Sequence, residues 1–411
     1  MKVGIIGSGG REHAICNSLK KSHNINKIYC FPGNAGTNLI AENVFIDISD
    51  FEKLKNFIKK NNIDLIVVGP EKPLVDGIVD YLEANNINVF GPNKIASQLE
   101  GSKTFTKNLC KKYGIPTANF GIFKTENEAQ NFLKNIKLPI VIKADGLASG
   151  KGVYICEEKK EASQAIKEIF QGKFGKANKV LIEHFLKGEE MSFFIISDGL
   201  TYKTFCTAQD HKRVLEGDKG KNTGGMGAYS PSRLENESLN KKIIKKIIDP
   251  TLLGLKDLGT NFVGFLYAGL MIVNDEPYLI EYNVRMGDPE CQTILPRLKT
   301  DFAKIINACV NKTLNSINFE WHQDNSLCVV LCSKGYPDEF INNIEIKNLE
   351  KISLEHNEFI FHAGTRLENN RILSNGGRVL NFVIRSDSFK KNRDKAITII
   401  NQIKWNNGFY R

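Results

Sequence analysis

The first 100 residues alternate between short apolar runs and segments whose apolar positions have helical spacing. Four runs predict strands: KVGIIG, NKIYCF, DLIVVG and INVFG. Three segments predict helices: EHAICNSLKK, 51–60 and 74–84. Strands that alternate with helices form a parallel sheet with helices on both faces. This part of the chain is therefore predicted to be a doubly wound α/β unit.

Glycine-rich turns follow three of these strands: GSGGREH (7–13), FPGNAGT (31–37) and VGPEKPLVDG (68–77). In a doubly wound sheet, ligands bind beyond the carboxyl ends of the strands, where these turns lie. A dinucleotide-binding fingerprint would need a third glycine at the position of Glu12 and an acidic residue ending the second strand. The sequence has neither. A nicotinamide-dependent oxidoreductase is therefore disfavoured.

A chain of 411 residues is too long for one core, so further domains must follow. After a helix near 102–112, a strand–helix–strand–loop–strand–helix–strand unit occupies about 118–188. Other apolar strands follow, and a helix near 388–402 closes the chain. We expect a multidomain α/β and α+β protein with domains at 1–100, 101–325 and 326–411, the last one small and mainly β.

The net charge of +10 comes from basic doublets scattered along the chain rather than from a basic block. Solvated helix faces explain most of it, and a small anionic substrate fits the rest better than RNA or DNA does. No apolar run is long enough to span a membrane, and the nine scattered cysteines contain no CxxC pair. We therefore expect a cytoplasmic protein with buried, reduced thiols, no nucleic acid or membrane partner, and an undecided monomeric or dimeric state.

The stretch IVIKADGLASGKGV (140–153) looks like a phosphate-binding loop. It is not a Walker A loop, because Gly146 and Gly150 are one residue too close and Gly152 stands where Ser or Thr would bind magnesium. The following segment predicts a strand rather than a helix. The stretch is thus either a plain glycine hairpin or a flap between antiparallel strands. Lys143 and Lys151 favour a flap that covers a polyphosphate.

Two downstream segments favour a nucleotide site. In KVLIEHFLKGEEMSF, a bend between two strands offers the backbone of Phe185 and Leu186 to an adenine edge and Glu190 to ribose hydroxyls. In LIEYNVRMGDPE, Glu281 and Asn283 lie two residues apart on a strand and therefore on one face. Such oxygen ligands suit Mg²⁺ that bridges phosphates, although a surface strand edge is the alternative.

Twelve motifs extend these features from residue 4 to about residue 380: GSGGREHA, PGNAGT, VGPEKPLVDG, FGP, QLEGSKTFTK, IVIKADGLASGKGV, QDHKRV, NTGGMGAYSP, GFLYAGLM, RMGDPE, FHAGT and NGGRVL. Their order and spacing resemble the ATP-grasp superfamily, and within it the phosphoribosylamine–glycine ligase (glycinamide ribonucleotide synthetase) family. The resemblance implies a pre-ATP-grasp domain, an ATP-grasp domain with a mobile lid, and a C-terminal β-rich domain. It also implies ligation of glycine to 5-phosphoribosylamine in purine biosynthesis, with ATP consumed through glycyl phosphate.

The resemblance assigns roles to individual residues. The ATP contacts implied are Lys103, Lys143, Gly146, Ser149, Gly150, Lys151, Gly152, Glu183, Phe185, Leu186 and Glu190. Glu281 and Asn283 are the implied ligands of Mg²⁺, with Mn²⁺ as an alternative. The implied substrate contacts are Gly9, Gly10, Asn34, Gly36, Thr37, Glu71, Asp210, Lys212, Arg213, Asn222, Thr223, Gly224, Gly225, Met226, Arg285, Gly287 and Asp288. Among all these residues, Lys143, Asp210 and Arg285 are the implied catalytic groups, with Asp210 on the glycine ammonium and Arg285 on its carboxylate.

One departure concerns the metal. Many ATP-grasp enzymes carry a third metal-binding carboxylate on the strand corresponding to GFLYAGLMI, and here Gly269 occupies that place. Two rival hypotheses remain: a carboxylase-type ATP-grasp enzyme, which should lack QDHKR and NTGGMGAYSP, and a basic RNA-binding module without catalysis.

Overall fold

The computed structural model describes residues 1–147, 152–175 and 179–411. Its N-terminal sheet is fully parallel, with strand order β3-β2-β1-β4-β5. The strands are β1 (Lys2–Gly7), β2 (Lys27–Pro32), β3 (Glu42–Asn43), β4 (Leu65–Val68) and β5 (Val89–Phe90). The helices are α1 (Gly10–Lys20), α2 (Phe51–Asn61), α3 (Glu71–Asp76), α4 (Ile78–Glu83) and α5 (Gln98–Gly101), with a 3₁₀ turn at Thr37–Leu39. The doubly wound parallel sheet is confirmed.

The predicted helix over 74–84 is wrong in one respect. The structure has two short helices, α3 and α4, and Gly77 between them has a φ of +97°. This left-handed conformation interrupts the helical hydrogen bonds, and glycine adopts it without steric cost. The first of the two helices, α3, begins at Glu71, three residues after the end of β4.

A four-stranded antiparallel sheet with order β6-β9-β7-β8 follows α6 (Lys103–Tyr113). Its elements are β6 (Phe120–Phe123), α7 (Glu126–Asn135), β7 (Ile140–Ala144), β8 (Val153–Cys156), α8 (Lys159–Phe170) and β9 (Val180–His184). We call these six elements the lid unit. Because β7 pairs antiparallel with β8, the glycine-rich stretch joins two antiparallel strands, as the sequence predicted.

A nine-stranded sheet extends across the predicted domains 101–325 and 326–411, in the order β16-β15-β10-β11-β14-β17-β21-β18, with β22 paired to β17. The strands from β10 to β17 are β10 (Glu189–Asp198), β11 (Tyr202–Asp210), β12 (Arg213–Leu215), β13 (Lys219–Asn222), β14 (Gly227–Ser230), β15 (Val263–Val273), β16 (Glu276–Asn283) and β17 (Asn325–Ser333), which crosses the predicted boundary at residue 326. Those after it are β18 (Glu358–His362), β19 (Thr365–Glu368), β20 (Arg371–Ser374), β21 (Arg378–Ser386) and β22 (Gly408–Phe409). The hairpins β12–β13 and β19–β20 lie outside this sheet.

Helices that the sequence analysis did not name lie between these strands. They are α9 (Glu237–Ile243), α10 (Asp249–Asp257), α11 (Glu290–Ile294) and α12 (Phe302–Val310), with a π-helical turn at Ile244–Ile248 and 3₁₀ turns at Leu295–Arg297, Leu314–Ser316 and Leu349–Lys351. The final helix, α13 (Phe389–Ile400), was predicted. No helix in the described part of the chain combines the length and apolar character needed to cross a bilayer.

Two large hydrophobic clusters bind the N-terminal sheet to the nine-stranded sheet. One contains Phe31 of β2 together with Phe193 of β10, and the other joins Phe90 of β5 to Phe265 of β15 in an edge-to-face contact with centroids 5.5 Å apart. The lid unit has a separate core. The carboxyl ends of β1 and β4 are therefore held against the loops that follow β11 and β16, and this junction contains most of the predicted substrate residues.

Candidate active site

Lys143 belongs to a buried group of three charges. Its Nζ lies 2.7 Å from Oε2 of Glu183, and Nζ of Lys107 lies 2.5 Å from Oε1 of the same carboxylate. All three side chains are at most 5% exposed. Burial would raise the pKa of Glu183, but the two ammonium groups outweigh burial and lower it. Two cations facing one anion leave an excess positive charge, which suits a polyanionic ligand.

Lys107 was not predicted from the sequence. Glu183, an implied ATP contact, pairs with both lysines through its carboxylate in this structure, and its role toward ATP stays a prediction. Lys107 follows Lys103 by four residues on α6, so the two lie one helical turn apart. That spacing was visible in the motif GSKTFTK and would have justified naming Lys107.

Lys103 ties the glycine-rich stretch to the start of α6. Its Nζ donates to the carbonyl oxygen of Gly146 at 2.8 Å. The Asp145 carboxylate accepts hydrogen bonds from the backbone N of Thr104 (3.1 Å) and from Oγ of Ser102 (3.2 Å). Gly146 has a φ of +101°, which allows the chain to turn sharply after β7. The entry of the predicted flap is thus fixed next to the lysines.

The middle of the predicted flap lies outside the described residues. This applies to Ser149, Gly150 and Lys151, which the sequence assigned to ATP. Gly152 is described, and its carbonyl oxygen accepts a hydrogen bond from the backbone N of Ala144 at 2.9 Å. Both ends of the loop therefore continue directly into the β7–β8 pair.

Glu281 and Asn283 lie on β16, as predicted, with Glu281 opposite Gly269 of β15. Burial would raise the pKa of Glu281, but the charges of Lys212, Lys143 and Lys103 outweigh it and lower the pKa. No three acidic, histidine or cysteine side chains among the described residues are grouped so as to hold a metal alone. Two oxygen donors on one strand fit a divalent cation that completes its coordination with phosphate oxygens and water.

The bend between β9 and β10 carries the residues predicted to hold adenosine. Phe185 is 37% exposed although it is large and apolar, and Leu186 follows it. Glu190 lies in β10, and its Oε2 is 3.0 Å from Nζ of Lys212. Burial would lower the pKa of Lys212, but Glu190 and other acidic groups raise it. This ion pair brings the end of the bend to the QDHKR segment.

Asp210 ends β11 with an unsatisfied carboxylate. Its Oδ1 is buried and has no hydrogen-bond partner among the described residues. Burial raises the pKa of Asp210, and the nearby Glu290 raises it further. Gly225, with a φ of +113°, closes over this carboxylate, since a Cβ on Gly225 would lie only 2.7 Å from Oδ1. A buried acceptor in this state fits a ligand that brings positive charge and hydrogen-bond donors.

The turn that follows is internally hydrogen-bonded. Backbone N and Oγ1 of Thr223 both donate to the carbonyl oxygen of Lys212 at 2.8 Å, and the backbone N of Gly225 donates to Oγ1 of Thr223 at 3.0 Å. Arg213 and Asn222 are partners in the β12–β13 hairpin. Met226 is 1% exposed and its side chain packs in the core; its contact with substrate stays a prediction.

Arg285 bridges the N-terminal sheet and the nine-stranded sheet. Its Nη2 lies 2.7 Å from Oε1 of Glu100, and its Nε lies 3.3 Å from Oε2 of Glu71. Burial would raise the pKa of Glu71, but Arg285 and Arg11 outweigh it and lower the pKa to about 2. Glu100 also accepts a hydrogen bond from the backbone N of Val284 at 2.8 Å. Glu100 and Arg11 were not predicted: Glu100 pairs with the Arg285 guanidinium, whereas Arg11 lies 4.0 Å from the Glu71 carboxylate.

The two N-terminal glycine turns meet through Asn34. Its Nδ2 donates to the carbonyl oxygens of Ser8 and His362, and its Oδ1 accepts from the backbone N of Gly36 and Thr37. These two amides are therefore already satisfied within the turn. In GSGG, the backbone N of Gly9 donates to Glu12 at 2.6 Å, and Gly10 begins α1. The prediction that both turns lie at one edge of the sheet is confirmed. Some of their backbone amides, however, already donate hydrogen bonds within the turns.

Gly287 and Asp288 form a loop beneath these turns. A Cβ on Gly287 would lie 2.2 Å from Glu290, so glycine permits that buried carboxylate to approach. The Asp288 carboxylate accepts a hydrogen bond from the backbone N of Arg11 at 3.4 Å. Nη1 of Arg378 lies 3.3 Å from Oδ1 of the same carboxylate. The sequence analysis did not name Glu290 or Arg378.

The chain matches three family models that together span most of its length: the phosphoribosylglycinamide synthetase N domain over residues 1–100, its ATP-grasp (A) domain over 101–291 and its C domain over 326–411. The chain belongs to the phosphoribosylglycinamide synthetase family. It is an ATP-grasp ligase, and the family implies the use of ATP and a divalent metal.

Relatives of this family align along the whole chain. The phosphoribosylamine–glycine ligase of Brucella melitensis is 45% identical and that of Agrobacterium fabrum 46%, each over 100% of this chain and over 96% and 97% of the relative, respectively. A crystal structure of phosphoribosylamine–glycine ligase from Thermotoga maritima has a TM-score of 0.86 at 34% identity and covers 100% of this chain and 99% of that one. The recognition made from the motifs is confirmed.

The fold extends beyond this family. A biotin carboxylase from Campylobacter jejuni has a TM-score of 0.75 at 15% identity, covering 98% of this chain and 91% of that one. This likeness shows the ATP-grasp fold alone. The carboxylase alternative is not supported, because the synthetase family models match most of this chain.

Proposed function

We propose that this chain joins glycine to 5-phosphoribosylamine, with ATP converted to ADP and phosphate and with glycyl phosphate as the intermediate. The observation that carries this proposal is the unsatisfied Asp210 carboxylate oxygen. Asp210 and Arg285 both lie close enough to Glu290 to feel its charge. Family membership supplies the reaction class, and a carboxylate and a guanidinium group fit the two charges of an amino acid.

The lysines supply the positive charge that phosphoryl transfer requires. Lys103 and Lys143 face the γ-phosphoryl group of ATP. Glu183 pairs with both Lys143 and Lys107 and so keeps the Lys143 ammonium group in place. Such a site works by positioning and charge neutralisation and needs no protein nucleophile. An acyl phosphate hydrolyses readily, so the reaction requires a site from which water is excluded.

We assign the divalent cation to Glu281 and Asn283 and propose Mg²⁺, for which two protein oxygens plus phosphates and water are a usual set. When bound, the ion neutralises charge on the phosphoryl oxygens. Glu281 is suited to hold it because its carboxylate is kept ionised by surrounding lysines.

Glycine is bound with its ammonium on Asp210 and its carboxylate toward Arg285. Phosphoribosylamine lies at the edge formed by the GSGG and GNAGT turns, with Glu71 toward its ribose hydroxyls. Because Arg285 already contacts Glu71 at 3.3 Å, the two substrates meet at one guanidinium group. This places the attacking amine next to the activated carbonyl.

The cellular compartment and the kind of partner are inferred from the cysteines and the basic residues. All nine cysteines are buried and unpaired, which supports a reducing compartment, and we propose the cytoplasm. The small-molecule substrates account for the basic residues of the site without any nucleic acid.

The decisive experiment is coupled measurement of ADP release with glycine and freshly prepared phosphoribosylamine. ADP release that requires both substrates supports the ligase. Release with glycine alone indicates leakage of glycyl phosphate to water, and release that does not depend on glycine contradicts the proposal.

A further inference from the structure

Two motifs of the C-terminal segment have no part in the reaction as described so far: FHAGT (361–365) and NGGRVL (375–380). Because these motifs contain glycines, their two backbone segments come close to each other, and the ring of Tyr336 packs against one of them. A Cβ on Gly364 would lie 2.7 Å from Cα of Gly376, and a Cβ on Gly377 would lie 2.2 Å from the ring of Tyr336. Side chains at these positions would push Tyr336 and the adjacent Arg378 away from their present places.

Arg378 reaches from β21 into two loops of the candidate active site. Its Nη1 donates to the carbonyl oxygens of Gly224 and Asp288 and lies 3.3 Å from the Asp288 carboxylate. Its side chain is 21% exposed. The guanidinium plane also lies against Gly224, where a Cβ would be 3.0 Å from Cζ. One cation thus connects the turn after β13 to the loop after β16.

Tyr336 holds the same turn from its other side. Its hydroxyl oxygen accepts a hydrogen bond from the backbone N of Gly224 at 2.9 Å. Tyr336 therefore holds Gly224 through its N–H, and Arg378 holds it through its carbonyl oxygen. The next residue, Gly225, is the one that closes over the unsatisfied Asp210 carboxylate.

We propose that Arg378 is a positioning residue for glycine binding: with Tyr336 it holds the turn 223–226 against the Asp288 loop, so that the backbone stays closed over Asp210. The C-terminal segment then completes the amino acid site without touching the nucleotide end. This inference rests on the proposed function, because it assumes that Asp210 takes the glycine ammonium.

The test compares Arg378→Ala, Arg378→Lys and Tyr336→Phe with a control, Arg371→Ala, which removes an exposed arginine of the neighbouring strand β20. We expect kcat/KM for glycine to fall about 100-fold in Arg378→Ala, the loss associated with a displacement of about 1 Å. The fall should be about tenfold in Tyr336→Phe, which loses one hydrogen bond. KM for ATP should stay unchanged in every variant, and the control should match the parent.

Lysine retains the charge of Arg378 but cannot bond both loops, so Arg378→Lys should also lose kcat/KM for glycine. Added free guanidinium should restore part of the turnover of Arg378→Ala, an effect that a merely destabilised protein would not show.

Loss of ATP and glycine affinity together, without guanidinium rescue, would overturn the inference. If Arg378→Ala does not fold, Arg378→Lys and Tyr336→Phe decide, and unchanged kcat/KM for glycine in both rejects a positioning role. A parent chain without glycine-dependent ADP release overturns the proposed function and this inference with it. An active parent with unaffected variants overturns the inference alone.

Discussion

The ammonium group of Lys143 lies 2.7 Å from the carboxylate of Glu183, and both side chains are 5% exposed. A buried ion pair of this kind is costly to break, because the remaining charge is left without compensation. Here a second lysine, Lys107, contacts the other oxygen of the same carboxylate. The position of Lys143 thus depends on a residue that need not touch ATP.

Lys107→Met should therefore weaken ATP use as well as the fold. We expect KM for ATP to rise about tenfold and the free energy of unfolding to fall by about 2 kcal/mol, because Glu183 loses one of its two charged partners and keeps Lys143. Urea unfolding and steady-state kinetics measure the two effects. Lys111→Met, on the exposed side of the same helix, is the control and should change neither. An unaltered KM for ATP in Lys107→Met would refute the link to Lys143.

Asp210→Asn tests the glycine site without changing its shape. The amide removes the negative charge that faces the ammonium, so we expect a loss of about 2–4 kcal/mol in glycine binding, or roughly 30- to 1,000-fold in KM. ATP binding should persist. Asp275→Asn, in an exposed turn between β15 and β16, is the matched control. If Asp210→Asn retains the parental KM for glycine, the ammonium is bound elsewhere.

Arg285→Ala should abolish turnover while nucleotide binding survives. The guanidinium lies between Glu71 and Glu100 rather than beside Lys143, which pairs with Glu183. Calorimetric titration with a nonhydrolysable ATP analogue, compared with ADP release, separates the two effects. Glu100→Gln should lower kcat less severely, because Glu71 still contacts the arginine. Retained turnover in Arg285→Ala would remove this residue from the catalytic groups.

Much of the architecture could be predicted from the sequence, because its signals are local. The alternation of strands and helices predicted the parallel sheet. Gly152, which stands where a Walker A loop has Ser or Thr, showed that the glycine-rich stretch is not such a loop. Local signals fail where a single residue changes backbone direction, as Gly77 does between α3 and α4. They also gave no sign that β17 would join β14 and continue the sheet into the C-terminal segment.

The partners of the site residues were harder to predict. Lys103, Lys143, Glu281 and Asn283 fall where their motifs placed them, on α6, β7 and β16. Their roles toward ligands stay predictions. Glu100 and Arg285 lie 185 residues apart in sequence and become an ion pair only through the packing of two sheets. No spacing rule encodes such a pair, which is why these supporting charges were missed.

Glu281→Gln should lower the affinity of the enzyme for the metal ion on which the reaction depends. The variant keeps an oxygen donor but loses the charge, so we expect the Mg²⁺ concentration for half-maximal ADP release to rise about tenfold. Chelation of the metal should stop the parent enzyme, and Mg²⁺ should restore it. Glu276→Gln, half-buried at the start of the same strand and paired with Lys242 and Lys246, serves as the control. Equal Mg²⁺ requirements in both variants would place the ion elsewhere.

The last prediction concerns the histidine pair that joins the C-terminal segment to the N-terminal turns. The backbone N of His362 donates to Nδ1 of His13 at 2.9 Å, which requires that nitrogen to be unprotonated. Burial lowers the pKa of His362 to about 4 and also lowers the pKa of His13. Below the ordinary histidine pKa the unfolded chain binds protons that the folded chain cannot, so stability falls as the pH drops.

The His362 contribution is fully present above about pH 6.5 and is lost as the pH falls from there to about 4, for a total of about 3 kcal/mol. Urea unfolding at about pH 7 and about pH 5 should show a smaller loss in His362→Gln than in the parent. His23→Gln, at an exposed position, should behave like the parent. Equal pH slopes for the parent and His362→Gln would show that this histidine is protonated without cost in the folded protein.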